Sequence, residues 1–396
     1  MIVGAGPAGA CISLLLTQAG IPVTLVEAQS HHRKAWRGQA LMPSGLEVLD
    51  QMGLGPLVEQ LPRLPLAGWR FVVHGRPLFT APEPIGADPS PPCTLISQEA
   101  LLAALIERAQ RTGRLTLLSP ASATQLLQGD GHITGVELAD GRKLEADLVV
   151  ACDGRQSLLR QEAGIALVSQ SSPIDVLWFE LAGRCPSPAE GHFTTVVGTH
   201  NTFSLFERAG GGEQLGWVLD PDQPTPRLSH PQWIEQFVSQ SPSAWADWFE
   251  EAAGTLRGPS RLRVQVGMAE TWWKPGLLLL GDAAHPMSPV RAQGINMALR
   301  DSLVAAQELL AAQGPRQLDA AAQRVQRRRL PEIRRMQALQ SAEARQGALL
   351  GHSALLRQAA LVGSPLAGHL AAQLWRRRQG PLREGLSSGI SAANAP

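Results

Sequence analysis

The stretch Gly4-Ala5-Gly6-Pro7-Ala8-Gly9 constrains this chain more than any other. It follows a short apolar strand, Met1 to Val3, and opens a helical stretch from about Ala8 to Gln18 that Gly20 closes. A second strand, Ile21 to Glu27, comes next. Strand, glycine turn, helix and strand within about thirty residues make a βαβ unit, whose crossover is right-handed in nearly all known cases. In that setting the glycines divide the work: one makes the tight turn, one lets a pyrophosphate approach the backbone, and one packs helix on strand. The helix that begins at Pro7 and Ala8 presents free N–H groups and a positive dipole end to the phosphates. Glu27 ends the second strand eighteen residues after Gly9, where an acid accepts hydrogen bonds from the adenosine ribose. Only three residues precede Gly4, so the opening strand looks clipped, and a native start a few residues upstream is expected.

Two further apolar runs end in the same manner. Leu277 to Leu280 stops at Gly281-Asp282, turns through two prolines and Arg291, and restarts as a helix near Gly294. Leu148 to Ala151 stops just before Asp153-Gly154-Arg155. An Asp at the carboxyl end of a parallel strand lies at the edge where open α/β sheets bind ligands. For Asp153 the competing reading is a turn carboxylate that caps the helix behind it.

The pattern then changes along the chain. Trp69 to Val73 and Arg76 to Phe79 flank His74-Gly75 as a hairpin, and a helix begins near Ser97. Residues 133 to 152 read as two strands joined at Asp140-Gly141, the second being the run Leu148 to Ala151. From about 173 to 262 short alternating segments, such as Asn201 to Glu207 and Gln214 to Leu219, predict a mostly antiparallel sheet with some helix. Beyond residue 297 nearly everything reads helical.

In this order, the three motifs resemble the FAD-dependent class A flavoprotein monooxygenases, the family of p-hydroxybenzoate hydroxylase and the ubiquinone-biosynthesis hydroxylases. The resemblance covers about the first 340 residues. It implies an α/β fold: an FAD-binding Rossmann-like βαβ domain, an inserted mostly antiparallel β-sheet substrate domain, and a C-terminal helical region. The expected division is 1–68, 95–172 and 262–312 for FAD, 69–94 and 173–261 for substrate, and 313–396 for the helices. By the same resemblance Gly4, Gly6, Pro7, Ala8, Gly9 and Glu27 hold the adenosine end of FAD, and Asp153 with Arg155 belongs to a motif that serves both FAD and NAD(P)H. Arg37 and Gln98 match positions that contact FAD on the ribityl and pyrophosphate side. Asp282 would bind the ribityl chain, while Gly294, Ile295 and Asn296 would aim backbone N–H groups at the pyrimidine edge of the ring, where reduced flavin is an anion.

Pro289 and Arg291 are the candidate positions facing the flavin, and no catalytic side chain is assigned. Pro289 stiffens the turn. Ala292 stands where the family usually has glycine, and Arg291 either adds charge beside the flavin or faces solvent. His285 reads as a packed, hydrogen-bonded residue, because no ligand cluster surrounds it. The implied activity is hydroxylation of an aromatic or other lipophilic molecule by NADH or NADPH and O2, through a flavin hydroperoxide. Alternatives on the same scaffold are isoprenoid double-bond reduction, halogenation, or FAD binding without turnover. The halogenase motif WxWxIP is missing, for Leu215-Gly216-Trp217-Val218-Leu219-Asp220 does not match it.

Composition sets the remaining bounds. The formal net charge is +1, which gives no argument for nucleic acid. The four cysteines, Cys11, Cys93, Cys152 and Cys185, show no metal-ligand spacing. Tyrosine is absent, so a phenol cannot be activated by one, and the ten tryptophans suit either an aromatic pocket or an ordinary core. Neither His192 nor His200, in the substrate sheet, is a catalytic candidate. With no signal peptide and no apolar segment long enough to span a bilayer, the expectation is a cytoplasmic monomer or homodimer with small-molecule partners. Arg329 to Gln337 reads as structural support. Trp375-Arg376-Arg377-Arg378 reads as the solvated end of an amphipathic helix, with peripheral contact to anionic lipid as the weaker reading.

Overall fold

The computed structural model describes residues 1–30, 40–85, 90–172, 174–186, 190–199, 201–352 and 364–385. Its two largest sheets face a shared cavity. The first has six strands in the order Trp273–Lys274, Leu277–Leu279, Val149–Ala151, Ile2–Val3, Val23–Val26 and Leu115–Leu118. All neighbours are parallel except the Trp273–Lys274 edge. Ile2–Val3, Val149–Ala151 and Leu277–Leu279, in the middle of the sheet, are buried on both faces, which is why they read as continuous apolar runs. Ile2, Leu25, Val150 and Leu278 point to one face, where the helix Pro7–Gln18 packs between Gln98–Arg111 and Gln293–Leu310. Val3, Val26, Ala151 and Leu279 point to the other, with Ile133 and Val136 of a small sheet and Ile333 and Met336 of the helix Leu318–His352.

One sequence expectation changes here. The segment 133–152 holds three strands: His132–Leu138 turns back as Lys143–Glu145, and Val149–Ala151 belongs to a different sheet. The Asp140-Gly141 turn joins a polar-edged hairpin, whereas the wholly apolar run has both faces to bury and lies between Ile2–Val3 and Leu277–Leu279.

The second sheet has seven strands in the order Arg257–Leu262, Asp175–Leu181, Glu213–Leu219, Thr202–Glu207, His192–Val197, Gly68–Val73 and Arg76–Pro82. Only His192–Val197 and Gly68–Val73 pair in parallel. The last two strands form the expected hairpin, with positive φ at His74 (47°) and Gly75 (70°), as a two-residue hairpin turn requires. Leu177, Phe179, Leu215 and Trp217 face the helices His230–Gln240 and Ala246–Ala252, where Trp233, Phe237 and Phe249 complete an aromatic core. The alternate residues face the cavity, so the tryptophans divide: Trp217, Trp233 and Trp245 are core, while Trp69 and Trp178 line the open face.

The last helix, Ser364–Glu384, runs past the arginines, which stand in mid-helix and not at its end. Its final turn is buried instead: Leu382 joins the core and Arg383 forms a two-pronged bond to Glu83 in the chain after the hairpin. Trp375 packs against Phe71 and Trp69, at 5.4 and 5.9 Å between ring centroids. Among the described residues no helix is long and apolar enough to cross a membrane.

Candidate active site

A single cavity of 1270 Å³ runs from the glycine turn to the open face of the seven-stranded sheet. That exceeds the roughly 300–1000 Å³ of an ordinary small-molecule pocket, so it accommodates a large ligand with a second one beside it.

The glycines at its inner end have distinct surroundings. A Cβ on Gly4, which has φ of 97°, would lie 2.4 Å from the carbonyl oxygen of Cys152, and one on Gly9 would lie 1.8 Å from that of Gly4. These two fix backbone against backbone. A Cβ on Gly6 would meet nothing within 4 Å, because Gly6 faces the cavity at the start of the first helix. Pro7 and Ala8 line the cavity beside it. The Glu27 carboxylate accepts the N–H of Ala5 at 2.7 Å, which fastens the end of the second strand to the turn, and it also borders the cavity. Gln98 lies on the same wall, in the first turn of a helix capped by Ser97. Arg37 lies outside the described residues.

At the next strand end, Asp153 shows both features weighed from sequence. One carboxylate oxygen accepts the N–H of Leu159 at 3.0 Å, a capping bond, while the other is buried and finds no partner among the described residues. Arg155 reaches from the same turn to Asp282, Nε to carboxylate 3.0 Å. Arg160 ties the two turns together, donating to the carbonyl of Ala283 at 2.8 Å. The open face of Gly6, the unpaired Asp153 oxygen and the Arg155–Asp282 pair suit a ligand with phosphate, hydroxyl and sugar-alcohol groups.

The segment after Asp282 takes its shape from buried charge. His285 Nε2 lies 2.6 Å from an Asp301 oxygen, and Arg329 Nε donates to the other at 2.7 Å. Arg329 also pairs with Glu332, which holds Arg300. Burial alone would raise the Asp301 carboxyl, but His285 and Arg329 beside it hold it down at about 2. The packed reading of His285 therefore has a definite content: it anchors the turn that aims Asp282.

Pro289 then leads into two residues at positive φ, Arg291 at 57° and Ala292 at 49°. Glycine takes that conformation without penalty and alanine does not, which is the cost of the departure at residue 292. Of the two courses open from sequence, Arg291 does not face solvent: its side chain is largely buried and it lines the cavity. Its guanidinium lies against both rings of the packed pair Trp69 and Trp375, 4.7 and 4.8 Å from their centroids, and Nε donates to Glu343 at 2.7 Å. Gly294 and Ile295 line the cavity, but Asn296 is turned away from it. The Asn296 side chain accepts from Met42 N–H at 2.9 Å and donates to Ala292 carbonyl at 2.8 Å, stapling the helix start to the strand Ala40–Leu41 region.

Across the cavity stand Trp178, Phe193 and Phe206. Gly216 lets Trp178 lie flat, since a Cβ there would come 2.7 Å from the indole. His192 bonds to the carbonyl of Glu190 and does not line the cavity, and His200 lies outside the described residues. Burial pushes the thiols of Cys11 and Cys93 up to about 12, so neither is a nucleophile at neutral pH. Among the described residues no cluster of His, Cys, Asp and Glu is arranged to hold a metal. Sequence reading missed Glu180, Arg208, Asp301, Glu343 and Trp375, which carry no local motif.

Residues 1–336 match the model of a family described as the FAD binding domain. The chain is 33% identical to the 6-methylpretetramide 4-monooxygenase of Streptomyces rimosus over 363 residues, 87% of this chain and 83% of that protein. The chain belongs to the FAD-binding flavoprotein monooxygenases. This flavoprotein is also 30% identical to the ubiquinone hydroxylase UbiL of Rhodospirillum rubrum, over 79% of its own length and 72% of the relative's. Its fold matches that of Pseudomonas aeruginosa PqsL, solved with 2-aminobenzoylacetate, with a TM-score of 0.75 at 20% identity over 90% of this chain and 96% of that one. A 2-methyl-3-hydroxypyridine-5-carboxylic acid oxygenase gives 0.71 at 22% identity over 89% and 92%. The fold class and the FAD-dependent oxidoreductase assignment expected from sequence stand on these likenesses.

Proposed function

We propose that this flavoprotein hydroxylates a planar aromatic or similarly lipophilic molecule with O2, using NADH or NADPH as reductant. One observation carries the reading: the cavity is continuous from the glycine turn to an aromatic-lined sheet face, so a cofactor and a substrate can share it. Gly4, Gly6, Pro7, Ala8, Gly9 and Glu27 hold the adenosine and pyrophosphate, with Gln98 beside them, and the family resemblance assigns Arg37 to the same cofactor. Asp153, Arg155 and Asp282 hold the sugar-alcohol chain, and the N–H groups of Gly294, Ile295 and Asn296 lie at the helix start beside the ring. On this reading the segments 1–68, 95–172 and 262–312 serve the cofactor, and 69–94 and 173–261 serve the substrate. FAD, when bound, supplies the redox chemistry that activates oxygen.

The chain's own part is to orient and to exclude water. Trp178, Phe193 and Phe206 offer flat apolar surface against which an aromatic ring stacks. Arg291, held against Trp69 and Trp375 and bonded to Glu343, closes the side of the cavity. The names of two relatives, a 6-methylpretetramide 4-monooxygenase and a ubiquinone hydroxylase, support the substrate class. The test is to purify the protein with its FAD and measure NADH, NADPH and O2 consumption against a panel of phenols, quinones and polyketides. Joint consumption, accelerated by an aromatic compound that gains one oxygen atom, is expected. Bound FAD with no such acceleration by any compound sinks the proposal in favour of a binder, and reduction without oxygen transfer favours a reductase.

A further inference from the structure

The cavity face of the seven-stranded sheet mixes apolar residues with the hydroxyls of Thr195, Thr202, Ser204 and Ser260, and at one end it carries a charged pair. There Glu180, on the strand Asp175–Leu181, and Arg208, just after Thr202–Glu207, form an ion pair at 3.0 Å. Both line the cavity, with side chains 13% and 22% exposed. Asp175, at the opposite end of the Glu180 strand, accepts the N–H of Val264 in the chain returning to the cofactor half. Glu180 therefore lies at the end remote from that junction. From Val176 to Glu180, four strand steps span about 13 Å, with Trp178 between them on the same face.

A paired charge inside an aromatic cavity loses its hydration and is not justified by stability alone, since burying such a pair roughly breaks even at best. Arg208 Nε, moreover, donates to no acceptor among the described residues. The pair presents a donor fork and an acceptor carboxylate side by side. We propose that Glu180 and Arg208 form the substrate-recognition site of this cavity, and that they select a neutral planar aromatic molecule with a hydroxyl beside a carbonyl oxygen. Arg208 donates to the carbonyl and Glu180 accepts from the hydroxyl, a carboxylate being a stronger acceptor than the neighbouring ketone. A carboxylate guest would bring its charge against Glu180. A plain hydrocarbon would leave both groups unmatched, and sites built to hydrogen-bond a guest discriminate strongly against analogues that lack the group. The proposal rests on reading the sheet end of the cavity as the substrate side.

Calorimetric titration of the FAD-loaded protein with 1-hydroxyanthraquinone, anthraquinone and anthraquinone-2-carboxylate tests it. The hydroxyl-bearing probe should bind at least tenfold tighter than the other two. The double variant Glu180→Gln/Arg208→Met, which removes both charges together, should bring the hydroxyl and parent probes within about twofold while FAD content is retained. If that variant does not fold, Glu180→Gln alone decides: with the repelling charge gone, the carboxylate probe should gain at least tenfold relative to the hydroxyl probe. No discrimination by the unaltered protein, tightest binding of the carboxylate, survival of the preference in the double variant, or no shift in Glu180→Gln would each overturn the proposal. Selective binding without any oxygen consumption would instead leave recognition intact and remove the monooxygenase reading.

Discussion

In the parallel sheet the ligand surface is made of backbone, and in the seven-stranded sheet it is made of side chains. Gly4 and Gly9 sit where a Cβ would strike a carbonyl oxygen, and Gly6 opens the helix start to the cavity. Across the cavity, residues of three strands of one sheet, Trp178, Phe193 and Phe206, build a surface whose shape depends on register. A backbone surface serves one cofactor and tolerates little change, whereas a side-chain surface can be rebuilt for a new guest on the same strands. Glu180 and Arg208 illustrate the second kind and the turn around Asp282 the first.

Substitutions should separate the two. Gly9→Ala forces two backbone segments apart and should cost about 3 kcal/mol or more, with loss of bound FAD visible as a colourless protein. Gly6→Ala, by contrast, should leave the melting temperature nearly unchanged and weaken FAD binding, and equal loss of stability in both variants would break the comparison. Arg329→Met strips Asp301 and Glu332 of a buried partner and should destabilise the cofactor half by about 3 kcal/mol in denaturant titration.

The two halves should also respond to pH in opposite senses. Asp301 is held at about 2 in the folded chain against an ordinary 3.8, so its contribution is present above about 4 and is lost as pH falls towards 2. Glu213, the first residue of the strand Glu213–Leu219 in the seven-stranded sheet, is pushed by burial up to about 7, although the Cys185 N–H opposes this. Its folded form keeps a proton that the unfolded chain gives up, so stability is greatest below about 4.5 and falls as pH rises to about 7, by at most about 3 kcal/mol. Glu213→Gln should flatten the unfolding free energy over that range, and an unchanged slope would remove Glu213 from the account.

Gly216→Ala sets a Cβ 2.7 Å from the Trp178 ring, and should reduce substrate-stimulated turnover about tenfold while bound FAD is unchanged. The smallest effect belongs to the flavin-side turn. Ala292→Gly relieves a left-handed residue and should stabilise by about 1 kcal/mol, read as a modest rise in melting temperature.

Sequence showed the inner end of the cavity clearly and the outer end hardly at all. Gly4 to Gly9, Asp153 and Asp282 each stand at the end of a short apolar run, so local order alone placed them on one edge of one sheet. The run at Val149–Ala151 was assigned to the wrong hairpin because an apolar segment does not state its neighbour. Arg291 had no legible partner, since Glu343 is 52 residues away and Trp375 lies on the last helix. The motif spoke only for the backbone N–H of Asn296, and the bonds of its side chain to Met42 and Ala292 were not legible from it.

The sequence by itself determined that a strand, a glycine turn and a helix would offer N–H groups to a dinucleotide, because short-range sterics and the helix dipole act within a few residues. Which side chains meet across the cavity was decided by tertiary structure alone. Strand register and helix docking bring together residues such as Glu180 with Arg208 and Arg291 with Trp69 and Trp375, and those contacts depend on packing that no local pattern encodes.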